Sequence, residues 1–196
     1  MTMDSGNQTD TTSKPGQPAV LWTIVIALIG TLGSLLLSLG IGLKACPLCF
    51  YQRTFVMSVL IIAVFGRWAE PRRSGLVCWL VMPLAWAGLG VGAFHESLVI
   101  KGALECPQGL LGIGTAPMQS LILFGLLTAS ATFGAWSGRR ESTPIGGLKL
   151  FAAIVAGGAM AWACVASAPP LPPTPKQAYD PVKQPLDMCR PPFHGG

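Results

Sequence analysis

The sequence predicts an all-α, polytopic membrane protein. Three observations carry that reading. Of the 196 residues, 51% are hydrophobic and only 11% charged, against roughly a quarter charged in a soluble domain. Four stretches hold no charge at all, between Lys14 and Lys44, Arg73 and Glu96, Glu105 and Arg139, and Lys149 and Lys176. A fifth, Pro47 to Gly66, holds a single charge, Arg53. A membrane helix needs about 20 mainly apolar residues. The composition excludes a disordered chain and disfavours a soluble enzyme. Six Cys are too sparse for a small disulfide-stapled growth factor or toxin.

The first nineteen residues are polar and lack the basic start and small-residue cleavage site of a secretory signal. They read as a disordered tail before a retained first span, Val20–Leu43. The second span is Leu48–Gly66, the third Leu76–His95, the fourth Ser120–Ser137 and the fifth Leu148–Ala168. Arg67, Arg72, Arg73, Arg139, Arg140 and Lys149 fall in loops on one side, and Lys44 and Lys101 on the other. The bias puts the amino terminus in the cytoplasm and, with five spans, the carboxyl tail outside. This orientation accounts for much of the net charge of +5 without any nucleic acid.

The segment from Pro169 holds nine of 17 prolines and reads as an extended, semi-stiff tail. In the second outer loop, Gly109 to Gly114 follows no strand and opens no nucleotide-fold helix. It reads as a short amphipathic stretch on the membrane surface.

On this topology Cys46, Cys49, Cys106 and Cys189 lie outside, where disulfides persist. Cys78 lies near the cytoplasmic end of the third span, and Cys164 sits within the fifth. Cys46-Pro47-Leu48-Cys49 is a C-x-x-C opening a helix, with Cys46 at the N-cap and Pro47 at the first helical position. Unpaired N–H groups and the helix dipole favour a thiolate there. Such thiols exchange readily. A zinc site or structural disulfide is the competing reading, but zinc needs four ligands and no second C-x-x-C or His pair is present, so no metal is expected. Arg53, one turn after Cys49, shares its helix face. A charge so placed in a membrane helix either serves the site or snorkels to headgroups.

The run Ala45-Cys46-Pro47-Leu48-Cys49-Phe50-Tyr51-Gln52-Arg53 resembles the disulfide bond formation protein B (DsbB) family, quinone-dependent thiol oxidases of the bacterial inner membrane. Weaker echoes are His95-Glu96 and Pro117-x-Gln119. The resemblance covers about residues 20–138 and implies a four-helix transmembrane bundle. Residues 1–19 then form the cytoplasmic tail, 139–168 a cytoplasmic loop and additional fifth helix, and 169–196 a Pro-rich periplasmic tail. It implies that Cys46 and Cys49 are the redox pair beside a quinone, ubiquinone or menaquinone. Arg53 would contact that quinone and steady the Cys49 thiolate, and His95 would sit on its other side. An interfacial His at a helix end is the plainer reading of His95.

Cys106 would belong to a second redox pair that meets a periplasmic DsbA-like thioredoxin-fold partner. Family members usually carry two cysteines in that loop; here there is one. Cys189 in the tail is the expected partner of Cys106, with Cys164 as runner-up. The implied activity is reoxidation of the partner, with electrons passed to the quinone to sustain disulfide formation. The alternatives are a quinone reductase related to vitamin K epoxide reductase and a non-enzymatic, disulfide-stapled membrane protein.

Overall fold

The structure, a computed structural model, describes residues 17–138 and 147–194. Five helices follow one another: α1 (Gln17–Leu35), continued by a π-helical turn at Leu36–Gly40, then α2 (Pro47–Ala69), α3 (Ser74–Ile100), α4 (Ala116–Ser137) and α5 (Gly147–Ser167). Each is long and apolar enough to cross a membrane. The chain is an all-helical, multi-pass membrane protein. Among the described residues the β-pairing consists of two isolated bridges, Glu105 with Arg190 and Gln108 with Thr115.

The helix boundaries have local causes. Helix α1 begins at Gln17, so the end of the expected polar tail is already helical. The rest of that tail, and the loop bearing Arg139 and Arg140, lie outside the described residues. Helix α2 starts where expected, with Cys46 as N-cap and Pro47 in the first turn. Helix α3 runs through Pro83 and past His95 to Ile100. His95 is therefore inside a helix and not at its end. Thr115 caps α4, its hydroxyl accepting from the Met118 N–H at 3.3 Å. Pro117 and Gln119 thus belong to the first turn of α4 rather than preceding it.

Helix α3 is the hub, packed against α2, α4 and α5. Val81, Met82, Val91, Phe124 and Leu127 form part of the buried core. Large apolar side chains such as Trp22, Phe65, Phe133 and Trp162 point outward, as lipid solvation requires. Helices in lipid associate by close packing of small residues and interhelical hydrogen bonds. Both occur here. The ring of Phe124 fills the space over Gly88 where a side chain would stand. A Cβ on Gly157 of α5 would lie 2.7 Å from the Pro83 carbonyl oxygen. Thr23 and Ser130 share a hydrogen bond of 2.9 Å between α1 and α4.

The Gly88 contact is testable. Gly88→Val overpacks the α3–α4 interface and lowers stability by about 1–3 kcal/mol. Thermal unfolding in detergent reads it. Gly125→Ala, at a position open to 4 Å, does not lower the midpoint, because Ala favours the helix over Gly.

Candidate active site

Four cysteines meet at one end of the bundle. Cys46 is buried at the start of α2, and Cys49 is half-buried one turn on. Their sulfurs are 2.9 Å apart and unbonded. Cys106, in the loop after α3, is disulfide-bonded to Cys189 across 83 residues of sequence. Cys164 on α5 is a thiol and takes no part in that bond. Cys78 is buried in α3, packed at Gly134 of α4.

The tail reaches the site because it is tied down. Glu105 and Arg190 exchange two backbone hydrogen bonds, 2.8 and 3.0 Å, next to the disulfide. The Lys44 N–H donates to the Asp187 carbonyl at 2.8 Å, and its ammonium pairs with the Asp187 carboxylate at 2.7 Å. Lys44 thereby holds that carboxyl below its ordinary range. The Arg190 guanidinium lies 3.6 Å over the Tyr179 ring, and the Tyr179 hydroxyl donates to the Pro191 carbonyl. The tail is therefore not simply extended. It folds back over the loop, and its prolines at 191 and 192 are buried.

His95 stands between the two cysteine pairs. It is fully buried. Its Nε2 is 3.5 Å from Cys189 Sγ, 3.6 Å from Cys106 Sγ and 3.9 Å from Cys46 Sγ. Its Nδ1 has no partner among the described residues. One donor atom from each of Cys46, Cys49, His95 and Cys189 lies within 4.8 Å of every other. Two of the four come from elements far away in sequence, which local spacing cannot reveal.

A cavity of about 400 Å³ opens beside this cluster, lined by Cys49, Arg53 and Cys189 together with largely apolar side chains of α1, α2, α4 and the loop. His95 is not among its lining residues. Arg53 is held there by α1: its Nε donates to Ser34 Oγ at 2.7 Å, and an Nη donates to the Ser34 carbonyl at 3.2 Å and to Ser38 Oγ. Ser38 lies in the π-helical turn. Gln52 is buried, its Oε1 accepting from Ser120 while its Nε2 has no partner among the described residues. The loop makes one 3-10 turn at Leu110–Gly112, clamped by the Gln119 amide on Leu110 N–H, Leu110 O and Ile113 O at 2.8–2.9 Å.

Sequence reasoning missed Ser34 and Ser38, and gave Gln119 only as a weak echo of the family. Two serines four residues apart in an apolar span mark one polar helix face, and that was the available signal.

The model of the disulfide bond formation protein DsbB family matches residues 17–173. The chain belongs to that family. The match runs beyond the four spans of the motif-based resemblance and through α5, but stops short of Cys189. Similar proteins include a probable disulfide formation protein of Metapseudomonas resinovorans, 27% identical over 122 residues, which cover 55% of this chain and 81% of that protein. Disulfide bond formation protein B 1 of Pseudomonas fluorescens (strain Pf0-1) is 35% identical over 88 residues, 44% of this chain and 51% of that protein. A probable disulfide formation protein of Chlamydia pneumoniae is 27% identical over 119 residues, 56% and 85% of the two chains. No solved structure matches. Membership in the DsbB family gives this membrane protein a role in disulfide formation.

The DsbB-type C-x-x-C has a specific acid–base property here. The hydrogen bond between the two sulfurs and, with it, the neighbouring His95 hold the Cys46 thiol down to about 4, against the opposing effect of burial. Cys46 then stays ionised above that pH. At pH 6 an ordinary thiol is less than about 1% ionised. Iodoacetamide should therefore alkylate reduced Cys46 at a rate nearly flat from pH 6 to 8, read by mass spectrometry. Cys49→Ala removes that hydrogen bond and moves the profile to higher pH.

Proposed function

We propose that the chain is a quinone-dependent thiol oxidase of the bacterial inner membrane that reoxidises a thioredoxin-fold dithiol partner in the periplasm. The observation that carries this reading is the position of Cys189 Sγ. Bonded to Cys106, it lies within 4.8 Å of the Cys46 and Cys49 sulfurs, and the cavity begins at the same place. The Lys and Arg bias puts this end of the bundle outside the cytoplasm.

The cavity residues fit a quinone. The walls are mostly apolar, and their polar members include the Arg53 guanidinium and Gln52, whose buried Nε2 lacks an acceptor among the described residues. Arg53 and Gln52 would hold its oxygens. Bound there, a quinone supplies a two-electron, two-proton acceptor beside Cys49.

The chain's own steps are thiol–disulfide exchanges. The partner's thiolate attacks the Cys106–Cys189 disulfide and forms a mixed disulfide, and the partner's second thiol then releases it. The partner leaves oxidised, and Cys106 and Cys189 are thiols. The Cys189 thiolate attacks the Cys46–Cys49 bond in its oxidised form. Cys106 then resolves the resulting mixed disulfide. Two electrons have moved to Cys46 and Cys49, and Cys106–Cys189 is restored. Two thiols at Cys46 and Cys49 beside an intact Cys106–Cys189 bond would be the state after this transfer. His95 Nε2, within 3.9 Å of three of the four sulfurs, takes the proton each attacking thiol must lose.

Two variants test the reading in membranes. Cys189→Ser should abolish oxidation of a thioredoxin-like dithiol, while a small dithiol still reduces added quinone through Cys46 and Cys49. Normal partner oxidation would remove Cys189 from the pathway. Arg53→Ala deletes a charge-assisted hydrogen bond of about 1.5–3 kcal/mol. Quinone reduction should fall roughly tenfold to a hundredfold, with partner disulfide exchange retained in a single turnover.

A further inference from the structure

The oxidase reading uses Cys46, Cys49, Cys189 and His95 in sequence, one bond at a time. Their geometry suggests a second capacity. We propose that the fully reduced protein binds one soft divalent metal ion, Zn²⁺ or Cd²⁺, through Cys46 Sγ, Cys49 Sγ, Cys189 Sγ and His95 Nε2.

A tetrahedral site with metal–sulfur bonds of about 2.3 Å and a metal–nitrogen bond of about 2.0–2.1 Å sets its sulfurs about 3.8 Å apart and its nitrogen about 3.6 Å from each sulfur. Here Nε2 lies 3.5 Å from Cys189 Sγ and 3.9 Å from Cys46 Sγ. All four donor atoms fall within 4.8 Å of one another. The Cys46–Cys49 separation of 2.9 Å must open, which two side chains about one turn apart at a helix start can do by rotating about χ1. Three sulfurs and one imidazole nitrogen are the donor set of structural zinc sites.

The site exists in one redox state only. With Cys106–Cys189 intact, Cys189 has no thiolate to offer. Reduction by a dithiol supplies two electrons and two protons and breaks that bond into two thiols; a Cys46–Cys49 disulfide needs two more of each. The metal ion then displaces three protons, from Cys46, Cys49 and Cys189, and takes the lone pair of His95 Nε2. Cys106 keeps its proton and stands outside. Cys49 and Cys189 both line the cavity, which gives the ion a route in. Occupied, the site removes three of the four exchanging thiols. The proposal therefore makes the over-reduced protein zinc-sensitive and the oxidised protein resistant.

The test requires neither quinone nor partner, so its outcome is independent of the oxidase reading. Full-length protein in detergent is reduced with a phosphine, freed of reductant and titrated with Cd²⁺, following thiolate-to-cadmium absorbance. One ion per chain is expected, with none bound by protein holding the Cys106–Cys189 disulfide. Changing a mere supporting group of a metal site costs 10–100-fold in affinity, so loss of a ligand in Cys189→Ser or His95→Gln should cost at least about tenfold. Zn²⁺ should shield Cys46, Cys49 and Cys189 from maleimide and leave Cys106 reactive. Equal cadmium uptake by parent and Cys189→Ser, equal uptake by oxidised and reduced protein, or zinc shielding of Cys106 along with the others would overturn the assignment.

Discussion

The chemistry at this end of the bundle depends on the anchoring of the tail across the loop after α3. Two backbone hydrogen bonds between Glu105 and Arg190 fix the register in which Cys106 faces Cys189. The Lys44–Asp187 contact ties the same tail to the segment just before Cys46. One short stretch of chain is thereby held against the approaches to both α2 and α4. Without it Cys189 would sample a large volume, and its sulfur would rarely meet Cys46. Ordering the segment costs conformational entropy, which these contacts, the Arg190–Tyr179 stacking and the buried prolines together offset.

The bundle beneath supplies the other half of the arrangement. Helix α3 carries His95 in its interior, where burial fixes its side chain among sulfurs rather than at a wet helix end. Helix α1 departs from regular winding at Leu36–Gly40, beside the cavity. π-helical turns in α-helices often coincide with functional sites, and here the irregular turn presents Ser38 to Arg53 alongside Ser34. The guanidinium is thus oriented by α1 while remaining on the cavity wall. A charge in a membrane span persists when other groups satisfy it, and these serines do so.

Much of this was legible in the sequence, for physical reasons. Gaps in charge gave five spans because lipid enforces hydrophobicity over a fixed length. The N-cap role of Cys46 followed from Pro47 and the start of an apolar run, and the Cys46 side chain does accept from the Cys49 N–H at 3.3 Å. The partnering of Arg53 with Cys49 on one face followed from helical periodicity. What stayed hidden depends on contacts between distant segments. His95 read as a helix end because Glu96 follows it, yet α3 continues to Ile100. Gln119 read as a faint echo, though its amide clamps a 3-10 turn nine residues earlier. The tail read as extended from its proline content, which fixes φ but says nothing of where the chain is pinned.

The Cys106–Cys189 bond closes a covalent ring that encloses α4 and α5 entirely. Each catalytic cycle of the proposed kind would cut that ring and reseal it, so two membrane helices alternate between being looped and being merely tethered. The backbone pairing at Glu105 and the ion pair at Lys44 bridge the interval in which no covalent closure exists. Because that ion pair is partly exposed, dissolved salt weakens it. In such a cycle, the fidelity with which the ring recloses on its own sulfur, rather than on a stranger's, would be set partly by the ionic strength outside the membrane.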